Sequence, residues 1–251
     1  MIVNSLSRLY ILLAVALLFS TNAHGQGGTA GSAALYESHK VVDLPTAGVL
    51  SPKNYMLTAR IAPLGNFTAE MVVAPFKNFN IGLFWSAENL IGTPPVKAEL
   101  PAIQAQFRFI DETHIFPALA VGISSKTNGY FSQNFLLNQS IGAWITASKN
   151  FRGVLGTIAL HGGIVASEPS ISVFAGFEQS IGSAIAVVGE AVLLSKNNSK
   201  QQREFHGICN VGLRWSALRG TTLELIVHDL FGSVIDPGMS RAFGIEFVKA
   251  W

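Results

Sequence analysis

One pattern constrains this chain more than any other: from residue 55 to the end, apolar side chains alternate with small or polar ones in segment after segment. The stretch 103–109 shows it most cleanly, with four apolar residues separated by two glutamines and an arginine. Successive side chains of a β-strand point to opposite faces, so a period of two predicts strands with one apolar face. The segments with this pattern are 55–61, 67–73, 79–86, 103–109, 115–124, 141–148, 154–161, 171–178, 185–193, 205–215, 222–228 and 239–251.

The connections between these segments alternate in length. The short ones are 75–78, 111–114, 149–152, 179–182 and 216–220, and the longer ones are 88–100, 126–139, 195–203 and 231–237; 63–66 is also short. Bacterial outer-membrane barrels have an even number of antiparallel strands, short periplasmic turns and longer outer loops. The sequence therefore predicts an all-β fold, a transmembrane antiparallel up-and-down β-barrel of about 12 strands after a cleaved signal peptide.

The last segment, residues 239–251, has the character of a closing strand. Phe243, Ile245, Phe247 and Trp251 share one face, and the chain stops on the aromatic ring. In an exported bacterial chain, an aromatic last residue in phase with the apolar face indicates the closing strand of an outer-membrane barrel. We expect this strand to pair with the first one, and Phe247 and Trp251 to act as the signal for the barrel-assembly machinery.

The first residues have the layout of a secretory signal peptide. A single charge at Arg8 is followed by an apolar run and then by small and polar residues. The run is shorter than the ~20 residues that a spanning helix needs, which disfavours the alternative of a membrane anchor. We predict a signal peptide at residues 1–25, a periplasmic N-terminal leader or partial plug at 26–53, and the barrel at 54–251.

Composition limits the classes of function. Charged residues make up 13% of the chain, against about 25% in an average soluble domain. The formal net charge is +2 and there is no basic block, so nucleic acid is not an expected partner. Cys209 is the single cysteine, which excludes an intramolecular disulfide and a Cys-x-x-Cys pair. No His-x-x-x-His or acidic loop motif occurs, and we expect neither a metal nor a cofactor.

Charged residues collect on the face opposite the apolar one. An Arg or Lys on the lipid face at the bilayer midplane costs roughly 2–4 kcal/mol, so this division predicts outer-membrane lipid outside and a polar lumen inside. A soluble lipocalin-like barrel or sandwich with its apolar face inward has the same period and is the alternative. The candidates for lining the lumen are Arg60, Glu70, Gln104, Gln106, Arg108, His161, Glu178, Glu190, His206, Arg214, Glu224, His228 and Glu246.

A polar lumen without a catalytic motif favours a non-enzymatic function. Twelve strands leave room for a narrow channel or a ligand cavity. We expect passage or binding of a small polar or saccharide solute, or an accessory role in envelope polysaccharide export. The alternatives are an outer-membrane lipid- or glycan-modifying enzyme that uses lumenal Glu and His, and a structural or adhesion barrel that works through its outer loops.

Four short stretches carry a family resemblance. They are DLPTAG at 43–48, PAIQAQFRFIDE at 101–112, PALAVG at 117–122 and ASKNF at 147–151. In these stretches the chain resembles the YjbH-like outer-membrane β-barrel proteins linked to exopolysaccharide production. The resemblance covers the first half of the chain and implies a barrel with a role in envelope polysaccharide export. It implies no catalytic residue, because the matching stretches are strands and turns.

Overall fold

The computed structural model describes residues 28–91, 93, 95–98, 100–125, 141–167, 170–197, 203–232 and 239–251. The predicted signal peptide, residues 1–25, and the predicted loop at 126–139 both lie outside these ranges. Within them, no helix is long and apolar enough to cross a membrane. The strands are β1 (Asn54–Ala62), β2 (Asn66–Phe76), β3 (Phe79–Glu88), β4 (Lys97–Ala98), β5 (Ala102–Ile110), β6 (Ala118–Ser124), β7 (Gly142–Arg152), β8 (Thr157–Ser167), β9 (Ser170–Ile181), β10 (Ile185–Asn197), β11 (Arg203–Leu218), β12 (Thr221–His228) and β13 (Ser240–Ala250).

Twelve of these strands form a closed antiparallel barrel. Each strand pairs with the next along the chain, and β3 pairs with β5 across the loop that contains the two-residue β4. The sheet closes because β13 pairs with β1, which sets Leu57 opposite Phe247 and Arg60 opposite Gly244. A closed sheet leaves no unpaired edge to face lipid. The predicted barrel, and the predicted pairing of its last strand with its first, are confirmed.

One predicted turn lies further along the chain than expected. The sequence predicts a turn at residues 149–152, but β7 continues through this stretch and the reversal occurs at 153–156. The end of β7 is extended because it pairs with β8, which sets Asn150 opposite Ala159 and Arg152 opposite Thr157; Glu112 also accepts a hydrogen bond from the backbone N–H of Asn150, at 2.9 Å. The reversal uses Gly156, whose φ of +138° is unfavourable for other residues.

The side chains divide between the two faces of the barrel as the alternation predicts. Large apolar side chains point outward, and Leu83 and Ile103 expose 51% and 56% of their surface. Polar and charged side chains point inward, where Arg60 and Glu224 expose 4% and 2%. This arrangement is the inverse of a soluble protein and suits a barrel surrounded by lipid. It excludes the alternative of a soluble barrel with its apolar face inward.

Candidate functional site

The interior of the barrel is occupied by the chain itself. Residues 28–53, which we call the inner segment, contact strands on opposite sides of the wall. The backbone N–H of Ala47 donates to the hydroxyl of Ser148 on β7, at 2.8 Å. The hydroxyl of Thr29 donates to Glu246 on β13, at 2.6 Å. Because β7 and β13 face each other across a closed sheet, the inner segment lies within the barrel.

The inner segment runs into the barrel and back. It enters beside the turn between β9 and β10, where the N–H of Ser32 donates to the carbonyl of Gly182, at 2.9 Å. It reverses at residues 41–44, which we call the tip, and the N–H of Val41 donates to the carbonyl of Leu44 there, at 2.9 Å. It then returns to the start of β1. Both ends of the inner segment therefore lie at the mouth formed by the short turns.

Glu190 on β10 binds the backbone of the tip. It accepts hydrogen bonds from three consecutive N–H groups, those of Val42 (2.9 Å), Asp43 (3.1 Å) and Leu44 (3.1 Å). The amide of Asn210 on β11 donates to the other carboxylate oxygen, at 2.8 Å. Consecutive N–H groups in a turn form a concave anion site, and here the barrel wall supplies the anion. Glu190 is buried, so these donors replace its hydration.

The carbonyl groups of the tip face two guanidinium groups. Arg214 on β11 donates to the carbonyl of Val41, at 2.6 Å. Arg60 on β1 donates to the carbonyl of Val42, at 2.8 Å. We call Arg60, Glu190 and Arg214 the clamp. The clamp binds the tip through its main chain, with the carboxylate taking the N–H groups and the guanidinium groups taking the carbonyls.

Carboxylates fix the two guanidinium groups of the clamp. Glu224 on β12 lies between them, 2.8 Å from Arg60 and 2.7 Å from Arg214. Glu178 on β9 lies 2.9 Å from Arg214 on its other side. The planar guanidinium fork bound to carboxylates has a defined orientation and little rotational freedom. The clamp is therefore ordered by the barrel wall as well as by the tip.

The side chain of Asp43 adds an ionic contact to the tip. Its two oxygens lie 3.0 Å from Arg60 and 3.0 Å from Nε2 of His228 on β12. Burial by itself would raise the pKa of Asp43, but His228, Arg60 and Lys40 outweigh burial, and the pKa is lowered. Asp43 is therefore ionised at neutral pH and ties the tip to β1 and β12.

A second polar cluster on the wall binds the residues that precede the tip, His39 and Lys40. Nζ of Lys40 donates to Glu70 on β2, at 2.5 Å, and the amide of Gln104 on β5 donates to the same carboxylate. Nε2 of His39 lies 3.7 Å from Glu70. Burial lowers the pKa of His39 to about 4, although Glu70 opposes this shift. His39 is therefore neutral at pH 7 while the inner segment is in place.

The residues that follow the tip, from Pro45 onward, are bound by neutral side chains of the wall. Gln106 on β5 donates to the carbonyl of Gly48, at 2.9 Å, and accepts from the indole N–H of Trp144, at 3.2 Å. The hydroxyl of Thr146 on β7 donates to the carbonyl of Pro45, at 3.2 Å. The charged contacts are thus concentrated at the tip and at the residues that precede it.

A cavity of about 250 Å³ remains beside the inner segment, near the short turns, and its lining includes Arg108, His161 and Glu178. Nδ1 of His161 lies 2.8 Å from the hydroxyl of Ser148. That hydroxyl also accepts the hydrogen bond from Ala47, so it is engaged with the inner segment. Among the described residues, no group of three or more His, Cys, Asp or Glu side chains is placed to hold a metal ion.

The residues proposed for the lumen fall into three groups by their positions. Those buried in the interior are Arg60, Glu70, Gln104, Gln106, Glu190, Arg214, Glu224, His228 and Glu246. Those that are partly buried beside the cavity are Arg108, His161 and Glu178. The side chain of His206 lies outside the described part of the chain. Arg60, Glu190, Arg214 and Glu224 come together at the tip, whereas Arg108 and His161 stay at the cavity.

The sequence does not predict which residues of the inner segment contact the charged side chains of the wall. Lys40 and Asp43 lie in a stretch without strand periodicity, and Asn210 is one polar residue among many on its strand. A local signal does exist, because Val41 and Val42 are apolar neighbours within a leader rich in small and polar residues. Both valines are buried in the structure, packed with Val188, Ile226 and Ala242 of the wall.

A closed twelve-stranded antiparallel barrel with an apolar exterior and a charged interior is a transmembrane β-barrel of the outer-membrane type. Among solved structures, the chain is similar to the KdgM porin, with a TM-score of 0.49 and 9% identity over 77% of this chain and 98% of that one. It is similar to a NanC porin structure, with a TM-score of 0.48 and 10% identity over 78% and 99%. Another similar structure is the KdgM porin in complex with disordered oligogalacturonate. No protein-family model and no curated protein matches the chain.

Proposed function

We propose that the protein is a narrow outer-membrane channel or binding barrel for a small polar or saccharide solute, and that the inner segment keeps it closed. The observation that carries this proposal is an interior wall of buried arginine, glutamate and amide side chains whose partners include the inner segment. Buried charges need polar partners, and water or a polar solute can serve when the inner segment leaves. The same wall would be unfavourable for an apolar solute.

The contacts of the inner segment favour release of the tip over loss of the whole segment. The polar contacts of the tip are hydrogen bonds and ion pairs, which water can replace once the tip has left the clamp, and its apolar contacts are those of Val41 and Val42 with the wall. Near the end of the segment, Leu50 packs against Met56, Val72 and Val248, an apolar cluster that water does not replace. Opening therefore consists of the tip leaving the clamp while the base stays anchored at the mouth of the barrel.

The setting of this function is also part of the proposal. Export through the signal peptide at residues 1–25, followed by insertion by the barrel-assembly machinery, places the barrel in a bacterial outer membrane. The resemblance of residues 43–48 and 101–112 to YjbH-like proteins favours a saccharide as the solute. An accessory role in envelope polysaccharide export follows from the same resemblance.

A disulfide between the tip and the wall tests whether the inner segment closes the channel. A Cβ atom added at Gly176 on β9 would lie 2.9 and 3.0 Å from the two Cγ atoms of Val41. Val41→Cys and Gly176→Cys together are therefore within disulfide reach. Cys209→Ala removes the native thiol, which lies on the outer face. The purified triple variant is to be inserted into planar bilayers and its conductance recorded.

We expect the oxidised triple variant to lose the conductance events of the Cys209→Ala protein and to regain them when reduced. The two single variants, Val41→Cys and Gly176→Cys in the same background, are the controls, and their conductance should not change on oxidation. A folded barrel that conducts in neither redox state would contradict the channel. Equal conductance in both states would show that the inner segment does not close it.

A further inference from the structure

The clamp contacts the inner segment through successive peptide groups of its main chain. Glu190 accepts hydrogen bonds from the N–H groups of residues 42, 43 and 44. Arg214 donates to the carbonyls of residues 40 and 41, at 2.8 and 2.6 Å, and Arg60 donates to that of residue 42, at 2.8 Å. Any chain with N–H and C=O groups at the same spacing can make these contacts. The clamp therefore recognises a stretch of main chain rather than one particular side chain.

The charged side chains of the same stretch have separate places on the wall. The ammonium group of Lys40 lies 2.5 Å from the carboxylate of Glu70. The carboxylate of Asp43 lies 3.0 Å from Arg60 and 3.0 Å from His228. Each place is lined by groups of the opposite or complementary charge. When the inner segment leaves, the wall therefore offers one place for an ammonium group and another for a carboxylate.

The two residues between Lys40 and Asp43 have an apolar place. Val41 and Val42 are fully buried and pack with Val188, Ile226 and Ala242 of the wall. Burial of an aliphatic side chain in such a cluster is favourable, whereas a hydroxyl group there would lose its hydrogen bonds to water. A saccharide carries a hydroxyl group on most of its carbon atoms and does not match this part of the wall. A peptide with aliphatic side chains does match it.

We propose that the clamp and the wall around it form a binding site for a short peptide, which takes the place of residues 40–44. The ligand has free N–H and C=O groups, aliphatic side chains in its middle, an ammonium group on one side of them and a carboxylate on the other. This inference rests on the proposed function and narrows its small polar solute to a peptide, because the solute reaches the clamp only if the tip can leave. A peptide bound there keeps the tip out of the clamp.

The rate of disulfide formation between the tip and the wall measures this competition. The reduced Val41→Cys, Gly176→Cys, Cys209→Ala protein is to be oxidised in the presence of the peptide Lys-Val-Val-Asp-Leu, the sequence of residues 40–44, with acetylated and amidated ends. At about ten times its apparent dissociation constant, a ligand that keeps the tip out of the clamp should slow cross-linking by about tenfold. We expect this slowing with the peptide and little with maltotriose at the same concentration.

An N-methylated form of the peptide tests recognition of the main chain. Methyl groups on the backbone nitrogens of its third, fourth and fifth residues remove the three donors that would bind Glu190, as residues 42–44 do. Every side chain stays in place. We expect the N-methylated peptide to lose most of the slowing, because the buried carboxylate would be left without its donors.

Glu70→Gln, added to the triple variant, tests the place of the ammonium group. With Glu70 present, a peptide with norleucine in place of its lysine should need roughly tenfold more for the same slowing. In the Glu70→Gln protein the two peptides should be nearly equal. Any loosening of the inner segment affects both peptides alike, because they are compared in the same protein. Glu88→Gln is the matched control, since Glu88 lies at the end of β3 with Lys97 4.0 Å away, and it should keep the difference.

The outcomes separate this inference from the channel itself. Equal slowing by maltotriose, or by the N-methylated peptide, would overturn the assignment of the site to a peptide. No slowing by the peptide, in a protein that conducts when reduced, would overturn the binding site and leave the channel standing. A folded barrel that neither conducts when reduced nor responds to the peptide would overturn both.

Discussion

Glu190 is the side chain on which the position of the tip depends most, because one carboxylate accepts from three consecutive N–H groups. These donors are buried inside the barrel, where no bulk water replaces a lost acceptor. A buried donor without a partner costs about 1–3 kcal/mol. The contribution of Glu190 is therefore large compared with that of an exposed ion pair such as Lys77 with Asp111.

We predict that Glu190→Ala weakens attachment of the tip by about 3 kcal/mol, which corresponds to roughly a hundredfold faster hydrogen exchange at its amides. The measurement is hydrogen–deuterium exchange of peptides that contain residues 41–44, with the barrel in detergent or nanodiscs. Glu88→Ala is the control, because Glu88 is remote from the tip and partly exposed. Unchanged exchange in the folded Glu190→Ala protein would contradict the role of the carboxylate.

At the scale of an element, β13 has two structural roles. It closes the sheet against β1, and its inward face supplies Glu246 to the inner segment. At its end, the ring of Trp251 stacks on Tyr55 with centroids 6.4 Å apart. The backbone N–H of Trp251 donates to the carbonyl of Lys53, at 3.0 Å. The end of the chain is thus fastened to the residue that precedes the first strand.

We predict that Trp251→Ala lowers barrel stability by about 1 kcal/mol through loss of the aromatic pair. If Trp251 is also part of the assembly signal, the folded fraction in cells should fall by much more than this energy implies. The fraction of unheated protein with the fast gel mobility of a folded barrel measures it. Trp215→Ala removes an outward-facing tryptophan of β11 away from the seam, and an equal loss in that control would argue against an assembly role.

At the scale of the whole molecule, pH shifts the equilibrium between the closed barrel and the barrel with its inner segment released. His39 is neutral inside the barrel, where burial lowers its pKa to about 4, with Glu70 opposing and Lys40 reinforcing the shift. When the tip leaves and draws the preceding residues away from Glu70, His39 reaches water, where its pKa is near 6.5. Between these two values the released state binds the proton and the closed state does not, so a fall in pH favours release. The effect is absent above about pH 6.5 and complete near pH 4.

We predict that conductance rises as the pH falls from about 6.5 to about 4, since protonation stabilises the released inner segment. His39→Gln keeps a polar side chain of similar reach but removes the titration, and should flatten this rise. Asp43, with its lowered pKa, contributes only at still lower pH. A rise of equal size in the His39→Gln protein would assign the pH dependence to another group.

The barrel is predictable from the sequence because its signal is local. Residues 103–109 show both faces of a strand without reference to any neighbour, and the last strand must find the first once the others are paired. The clamp is not predictable in this way. Val42 and Glu190 are 148 residues apart, and the contact uses a backbone N–H that every residue except proline possesses. The same is true of the carbonyls that face Arg60 and Arg214, so no side-chain pattern could show them.

The hydrogen bond from Trp251 to Lys53 also bears on the order in which the strands and the inner segment assemble. The inner segment is translated before any strand, yet its site needs Arg60 from the first strand and Arg214 from one of the last. These two strands become near neighbours only when the final strand arrives and joins the first. Domains usually mature from the N-terminus during synthesis. Here a segment that is translated before every strand of the barrel is the last to find its place, and an incomplete barrel has no interior for it to fill.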